Sequence, residues 1–207
     1  SPPPPAWTVE LRLSGVDIGE AVEGRSLTEL DGSLYVTPER ADLKADALVD
    51  GAPMKLDVTQ PVGDSGVAMR RKISGTLSPE AREKLAPGTL ISGPVGFVME
   101  VGAKGDRTVS LDLKTAKLTV PGTGWTKDVG IAATLGFAMQ TDGAVTRLTD
   151  LRLSGKGFEA SGAVLIKDGG LSTADFDHVA LSPRDNYDVS IKRKGPGYEI
   201  ALGGEAI

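Results

Sequence analysis

The chain has 207 residues, enough to bury a sizeable core as one large domain or two small ones. Its 23 Lys and Arg against 28 Asp and Glu leave a net charge of −5, which excludes the basic face that nucleic acid demands. There is no Cys and a single His, so disulfides, thiolate catalysis, Cys-built metal sites and paired-histidine sites are excluded too.

No apolar run approaches the roughly 20 residues that span a bilayer, and no signal peptide is visible. Ser1-Pro2-Pro3-Pro4-Pro5 reads as a Pro-rich linker or edge with polyproline II character, and residues 6–207 read as one β-domain of a longer chain. The 27 Gly and 13 Pro fall mostly between short alternating runs, the punctuation of an all-β meander.

The first run is AWTVELRLS, with Trp7, Val9, Leu11 and Leu13 on one side and Thr8, Glu10, Arg12 and Ser14 on the other. The following stretch is weakly patterned. GSLYVTP, RADLKADALVD, PMKLDVTQ and MRRKISGTL then read as short two-faced strands. SPEAREKLAPG breaks the pattern. Ser78 is placed to cap, Pro79 opens the helix, Glu80 lies in its first turn and Gly88 follows, so one helix of about two turns is expected from Pro79 to Leu85.

After it the strands become regular: SGPVGFVMEV, TVSLDLK, AKLTV, VGIAATLGFAMQ, VTRLTDLRLSG, GFEASGAVLIK, DFDHVALS, NYDVSIKRK and GYEIALGGE. Turn signals recur at intervals of about 10 to 14 residues, as in consecutive antiparallel strands. Short connections and the lack of intervening helices favour neighbour-to-neighbour pairing over βαβ crossovers. Roughly a dozen strands are too many for one flat open sheet without curling or folding over.

VGIAATLGFAMQ sharpens the question of what the sheet is for. Val129, Ile131, Ala133, Leu135, Phe137 and Met139 form one row, and the reverse row carries no charge and almost no bulk. Only nine aromatics are present, two Trp, three Tyr and four Phe. Slender aliphatic rows line a long smooth trough as readily as they fill a core, and pattern alone leaves both open.

Sites of chemistry are scarce. His178, in Asp175-Phe176-Asp177-His178, is a candidate base or metal ligand, but in a strand Asp177 and His178 point to opposite faces, and an edge or loop histidine is the plainer reading. Ser172, Thr173 and Ser182 have no partner beyond that histidine, and no G-x-S-x-G elbow exists. Gly155-Lys156-Gly157 and Gly93-Pro94 lack phosphate-loop spacing. Asp17/Glu20 and Asp185/Asp188 lack a calcium loop's alternating oxygens. Arg70-Arg71-Lys72 and Lys192-Arg193-Lys194 read as solvated strand rims. No cofactor or metal is expected, and the chain is not expected to be an enzyme.

LDLKTAKLTVPGTGWTK, Leu111 to Lys127, resembles a signature of the large AsmA-like envelope proteins, the YhdP-type and TamB-related group. The matching positions are Asp112, Leu113, Ala116, Leu118, Val120, Pro121, Gly124, Trp125 and Lys127. Leu77 to Leu85, Leu153 to Gly162 and Lys192 to Glu205 resemble the family's short helix, its L-x-G-x-G-F-x-x-x-G hairpin and its closing strand pair. The resemblance covers about residues 50–207 and supplies no active site.

It implies a curled, mostly antiparallel sheet forming an open, taco-like apolar groove with one short helix. It also implies a bridge-like protein of the Gram-negative periplasm, anchored in the inner membrane through other regions, that conducts phospholipid acyl chains toward the outer membrane. The side chains then expected to line the groove are Val95, Phe97, Met99, Leu111, Leu113, Ile131, Leu135, Phe137, Met139, Leu151, Leu153, Phe158, Val164, Ile166, Val189, Ile191, Ile200 and Leu202. The alternative is a structural envelope domain with no ligand, in which the same rows are core.

Overall fold

A computed structural model describes residues 6–22, 25–85, 90–120, 124–182 and 184–204. The Pro-rich stretch 1–5, Gly88, Pro121 and Glu205 lie outside the described residues. In chain order the elements are β1 (Val9–Val16), β2 (Gly19–Val22), β3 (Arg25–Val36), β4 (Arg40–Val49), β5 (Ala52–Pro61), β6 (Arg70–Leu77), α1 (Pro79–Leu85), β7 (Ile91–Ser92), β8 (Val95–Val101), β9 (Arg107–Asp112), β10 (Lys117–Thr119), β11 (Thr126–Lys127), β12 (Ala133–Asp142), β13 (Val145–Gly155), β14 (Phe158–Lys167), β15 (Gly170–Ala180), β16 (Tyr187–Lys194) and β17 (Gly197–Gly204). The chain is all-β, as expected, and the helix falls where Ser78 and Pro79 place it; the Ser78 hydroxyl accepts from the Ala81 N–H at 3.2 Å.

Fourteen strands form one sheet in the order β1-β3-β4-β5-β6-β8-β9-β12-β13-β14-β15-β16-β17, with β2 also on β3. Every pair in it is antiparallel. β7, β10 and β11 leave this path and form a small sheet of their own. The weakly patterned stretch after Gly15 holds β2 and most of the long β3, which alternation did not reveal.

Register explains the face. The cross-strand row Leu11, Leu34, Leu43, Val58, Arg71, Val101, Arg107, Met139, Leu148, Val164, Ala174, Ile191, Ile200 contributes one side chain from each strand of the path. A second row runs Met54, Gly75, Phe97, Leu111, Leu135, Leu153, Ala160, Val179, Tyr187 on the same side. The other face is wet: Lys44, Asp57, Lys72 and Glu100 are successive partners across β4, β5, β6 and β8.

Three strands keep apolar residues on one side by inserting a residue. Leu13-Ser14-Gly15-Val16, Leu27-Thr28-Glu29-Leu30 and Leu148-Thr149-Asp150-Leu151 each place two apolar residues three apart, which plain alternation would turn to opposite faces. In each the register shifts, and the third residue has positive φ: 59° at Gly15, 51° at Glu29 and 52° at Asp150. The first two bulges brace each other. Asp31 Oδ1 accepts from the Gly15 N–H at 3.1 Å and Asp17 Oδ1 accepts from the Glu29 N–H at 3.0 Å.

Cover over the apolar face is one-ended. At the end holding Leu77, Val95 and Leu113, α1 brings Ala81 against the cluster Ala52, Met54 and Leu77. The small sheet brings Ala116, Leu118, Ile91 and Trp125 against Val95, Leu113, Ala133 and Phe158. A third cluster, around Leu27, Leu30, Ala45, Ala47 and Leu56, is built from adjoining strands β3, β4 and β5. The cluster under the small sheet reaches from Val95 on β8 to Phe158 on β14, whereas the other two stay within adjoining strands. The helix packs on the apolar side of β5 and β6, against Ala52, Met54 and Leu77.

Candidate functional site

The candidate site is the apolar face between its covered end and the opposite end. The expected groove side chains divide into three groups. Val95, Leu113, Leu151 and Phe158 are buried by the polypeptide itself. Phe97, Met99, Leu111, Leu135, Phe137, Met139, Leu153, Val164, Ile166, Val189 and Ile191 are half-buried. Ile131, Ile200 and Leu202 are exposed. Ile131 needs a correction. It precedes β12, in the turn Asp128-Val129-Gly130-Ile131, where Gly130 takes φ 91° and the Gly130 N–H donates to the Lys114 carbonyl. The strand therefore begins at Ala133 and not at Val129.

The middle group is the informative one. A sheet with one apolar face normally buries that face against a second layer. Here Met99, Phe137 and Val164 stay at intermediate exposure, while their cross-strand neighbours Val109 and Ala174 are buried. Fully burying a Leu, Val or Phe side chain contributes about 1.5–3 kcal/mol, so a face left half-exposed retains part of that driving force for whatever covers it.

The covered end explains the residues that carry the family resemblance. Asp112 Oδ1 accepts from the Lys114 N–H at 2.9 Å and folds the chain away from β9. Leu113 and Ala116, both at 0% exposure, then point into the interior. Trp125 meets Phe158 edge to face, centroids 5.0 Å apart, and its indole N–H donates to the Leu181 carbonyl at 3.1 Å. Phe158 lies over Gly155, where a Cβ would sit 2.0 Å from the ring. Lys127 is buried, and its ammonium donates to the carbonyl oxygens of Leu113 and Ala116. Burial pulls its pKa below the usual lysine value, against the opposing charges of Asp112 and Asp128. The motif thus builds a plug.

His178 is tied into the wet face. Its Nδ1 lies 2.9 Å from Asn186 Oδ1 and its Nε2 3.0 Å from Glu159 Oε1. The hydrogen bonds to Asn186 and Glu159 raise its pKa. Ser161 donates to Asp177, so this hydroxyl does not face the imidazole. A concavity of about 800 Å³ lies on the wet face, among Arg12, Asp31, Lys44, Asp57 and Lys72. Among the described residues no helix is long and apolar enough to cross a membrane.

Sequence reading missed charged residues on the apolar face. Arg71 and Arg107 are the cross-strand partners of Val101 from either side, and both are half-buried. The signal was present: Arg71 shares parity with Met69 and Ile73, although it sits inside a basic triplet. Compared with protein families, with curated proteins and with solved structures, the chain matches none.

Proposed function

We propose that this chain is a segment of a periplasmic lipid conduit, in which the apolar face carries phospholipid acyl chains between inner and outer membranes. The observation that carries the reading is the cross-strand row from Leu11 to Ile200, apolar but for Arg71 and Arg107, over whose middle no cluster of the described residues places a second layer. Twist accumulated over fourteen strands favours coiling of the sheet. Coiled toward its apolar side, it makes an open trough that keeps head groups in water.

The energetics suit movement better than capture. Each acyl methylene buried contributes about 0.8 kcal/mol, so a chain of about 16 carbons is held by an amount comparable to what it loses on leaving a bilayer. The aliphatic stretches of the rows, without deep pockets, keep that balance nearly level between the plug and the arginines at the far end. Anchoring in the inner membrane belongs to regions outside this segment, and the phospholipid is the partner.

A photo-crosslinking residue at Phe137 tests this. It should label phospholipid in the periplasm, whereas the same residue at Ser110, on the wet face, should not. Equal labelling from both positions, or none from Phe137, overturns the reading. The second reading, a scaffold domain without ligand, is favoured by the fully buried plug around Leu113 and Ala116. It requires both positions to stay unlabelled.

A further inference from the structure

Across the paired strands of the large sheet, the described charged side chains on the apolar face are all arginines: Arg71, Arg107 and Arg193. All three lie toward the end opposite the plug. The wet face, in contrast, mixes acids and bases, as in Lys55 with Asp46 and Lys72 with Glu100. Arg71 and Arg107 flank Val101, two strand spacings apart, or about 10 Å between backbones. Val101 between them is only 7% exposed and both arginines are half-buried, an arrangement that suits apolar stems packed on Val101 with the charged heads toward water. Arg71 reaches Gln60 Oε1 at 3.5 Å. Arg107 and Met139 also line a cavity of about 200 Å³ at the β8–β9 turn, where Lys104 and Asp106 offset each other.

We propose that Arg71 and Arg107 form a headgroup station that binds the phosphate of an acyl lipid whose hydrocarbon lies along Met99, Phe137 and Leu135 toward the plug. The proposal rests on the lipid-conduit reading and adds a polarity to it, with the head at the open end and the tail toward the covered end. Guanidinium groups suit this, because their planar forks bind phosphate oxygens in pairs and shed water more readily than ammonium. Placing the described charges of the apolar face, all positive, at one end gives an anionic amphiphile a charge-matched orientation.

Titration calorimetry on the 207-residue chain, below micelle-forming concentrations, tests it with three probes: dodecyl phosphate, dodecyl maltoside and inorganic phosphate. Dodecyl phosphate should bind saturably and at least about tenfold more tightly than dodecyl maltoside. Arg71→Gln and Arg107→Gln keep the stems over Val101. They should bring dodecyl phosphate down to the maltoside level and leave maltoside unchanged, and Arg107→Lys should lose less. Inorganic phosphate should not saturate. If it binds as well as dodecyl phosphate, the site is for a free anion and the proposal is overturned. Equal binding of both amphiphiles, or glutamine variants that bind dodecyl phosphate like the parent, overturns the station and leaves the conduit standing. If neither amphiphile binds, both readings fall.

Discussion

The Lys127 ammonium donates to the Ala116 carbonyl oxygen at 2.6 Å inside the plug, where the lysine has only 1% exposure. A second bond to the Leu113 carbonyl makes this side chain the brace of the bend after β9. Removing it strands two buried carbonyls. Lys127→Ala should destabilise the fold by about 2–5 kcal/mol, and Lys127→Met, which keeps the volume, by less. Denaturant unfolding of both variants checks the order.

The same lysine sets a pH signature. Its folded pKa lies below the model-compound value of 10.5, mainly through burial. Between that lowered value and 10.5 the unfolded chain still binds a proton that the folded chain has released. Stability of the parent relative to Lys127→Met should therefore rise with pH in this window. A fall over the same range would mean that the carbonyls hold the charged form more strongly than burial opposes it.

His178 works in the opposite sense. With both ring nitrogens facing acceptor oxygens, the imidazolium satisfies Asn186 and Glu159 together, and the folded pKa is raised above 6.5. Its contribution is complete below pH 6.5 and is lost as pH rises through the folded value. The stability gap between the parent and His178→Gln should shrink on going from acid to alkaline buffer, and the ring's NMR titration should lie above 6.5.

Asp150 holds φ 52° in the β13 bulge, a region that costs a side-chain-bearing residue about 1–2 kcal/mol. Asp150→Gly should stabilise the chain, and Asp150→Val should destabilise it, read as opposite shifts in thermal midpoint. Glu29, in the equivalent place on β3, should behave alike.

Much of this was written in the sequence, and the bulges mark where it stopped. Alternation in GFEASGAVLIK and SGPVGFVMEV gave strands and faces directly, because one residue more or less would turn Phe97 or Val164 to water. The helix was legible from Ser78 and Pro79. Leu27 and Leu30 were not, because their spacing denies alternation and only a residue at positive φ reconciles them. Nor could parity say that AKLTV would leave the large sheet, since that depends on the Asp112 turn and on the partner Lys127 supplies. The apolar row was read correctly from Leu135 to Met139. Arg71 was passed over as a rim charge because the triplet Arg70-Arg71-Lys72 looks solvated until register assigns each member a face.

Leu113 and Met139 mark the two ends of the apolar face. Leu113 is wholly buried, so Leu113→Asp should unfold the chain. Met139 is half-buried at the far end, so Met139→Asp should cost little stability while abolishing lipid occupancy. Circular dichroism beside lipid analysis of the two variants reads both effects.

The most direct measurement is mass spectrometry of organic extracts from the purified chain, beside a control domain of similar size. The account predicts co-purifying phospholipid in the parent, strongly reduced in Met139→Asp. Extracts no richer in lipid than the control, from a chain shown to be folded, would contradict it.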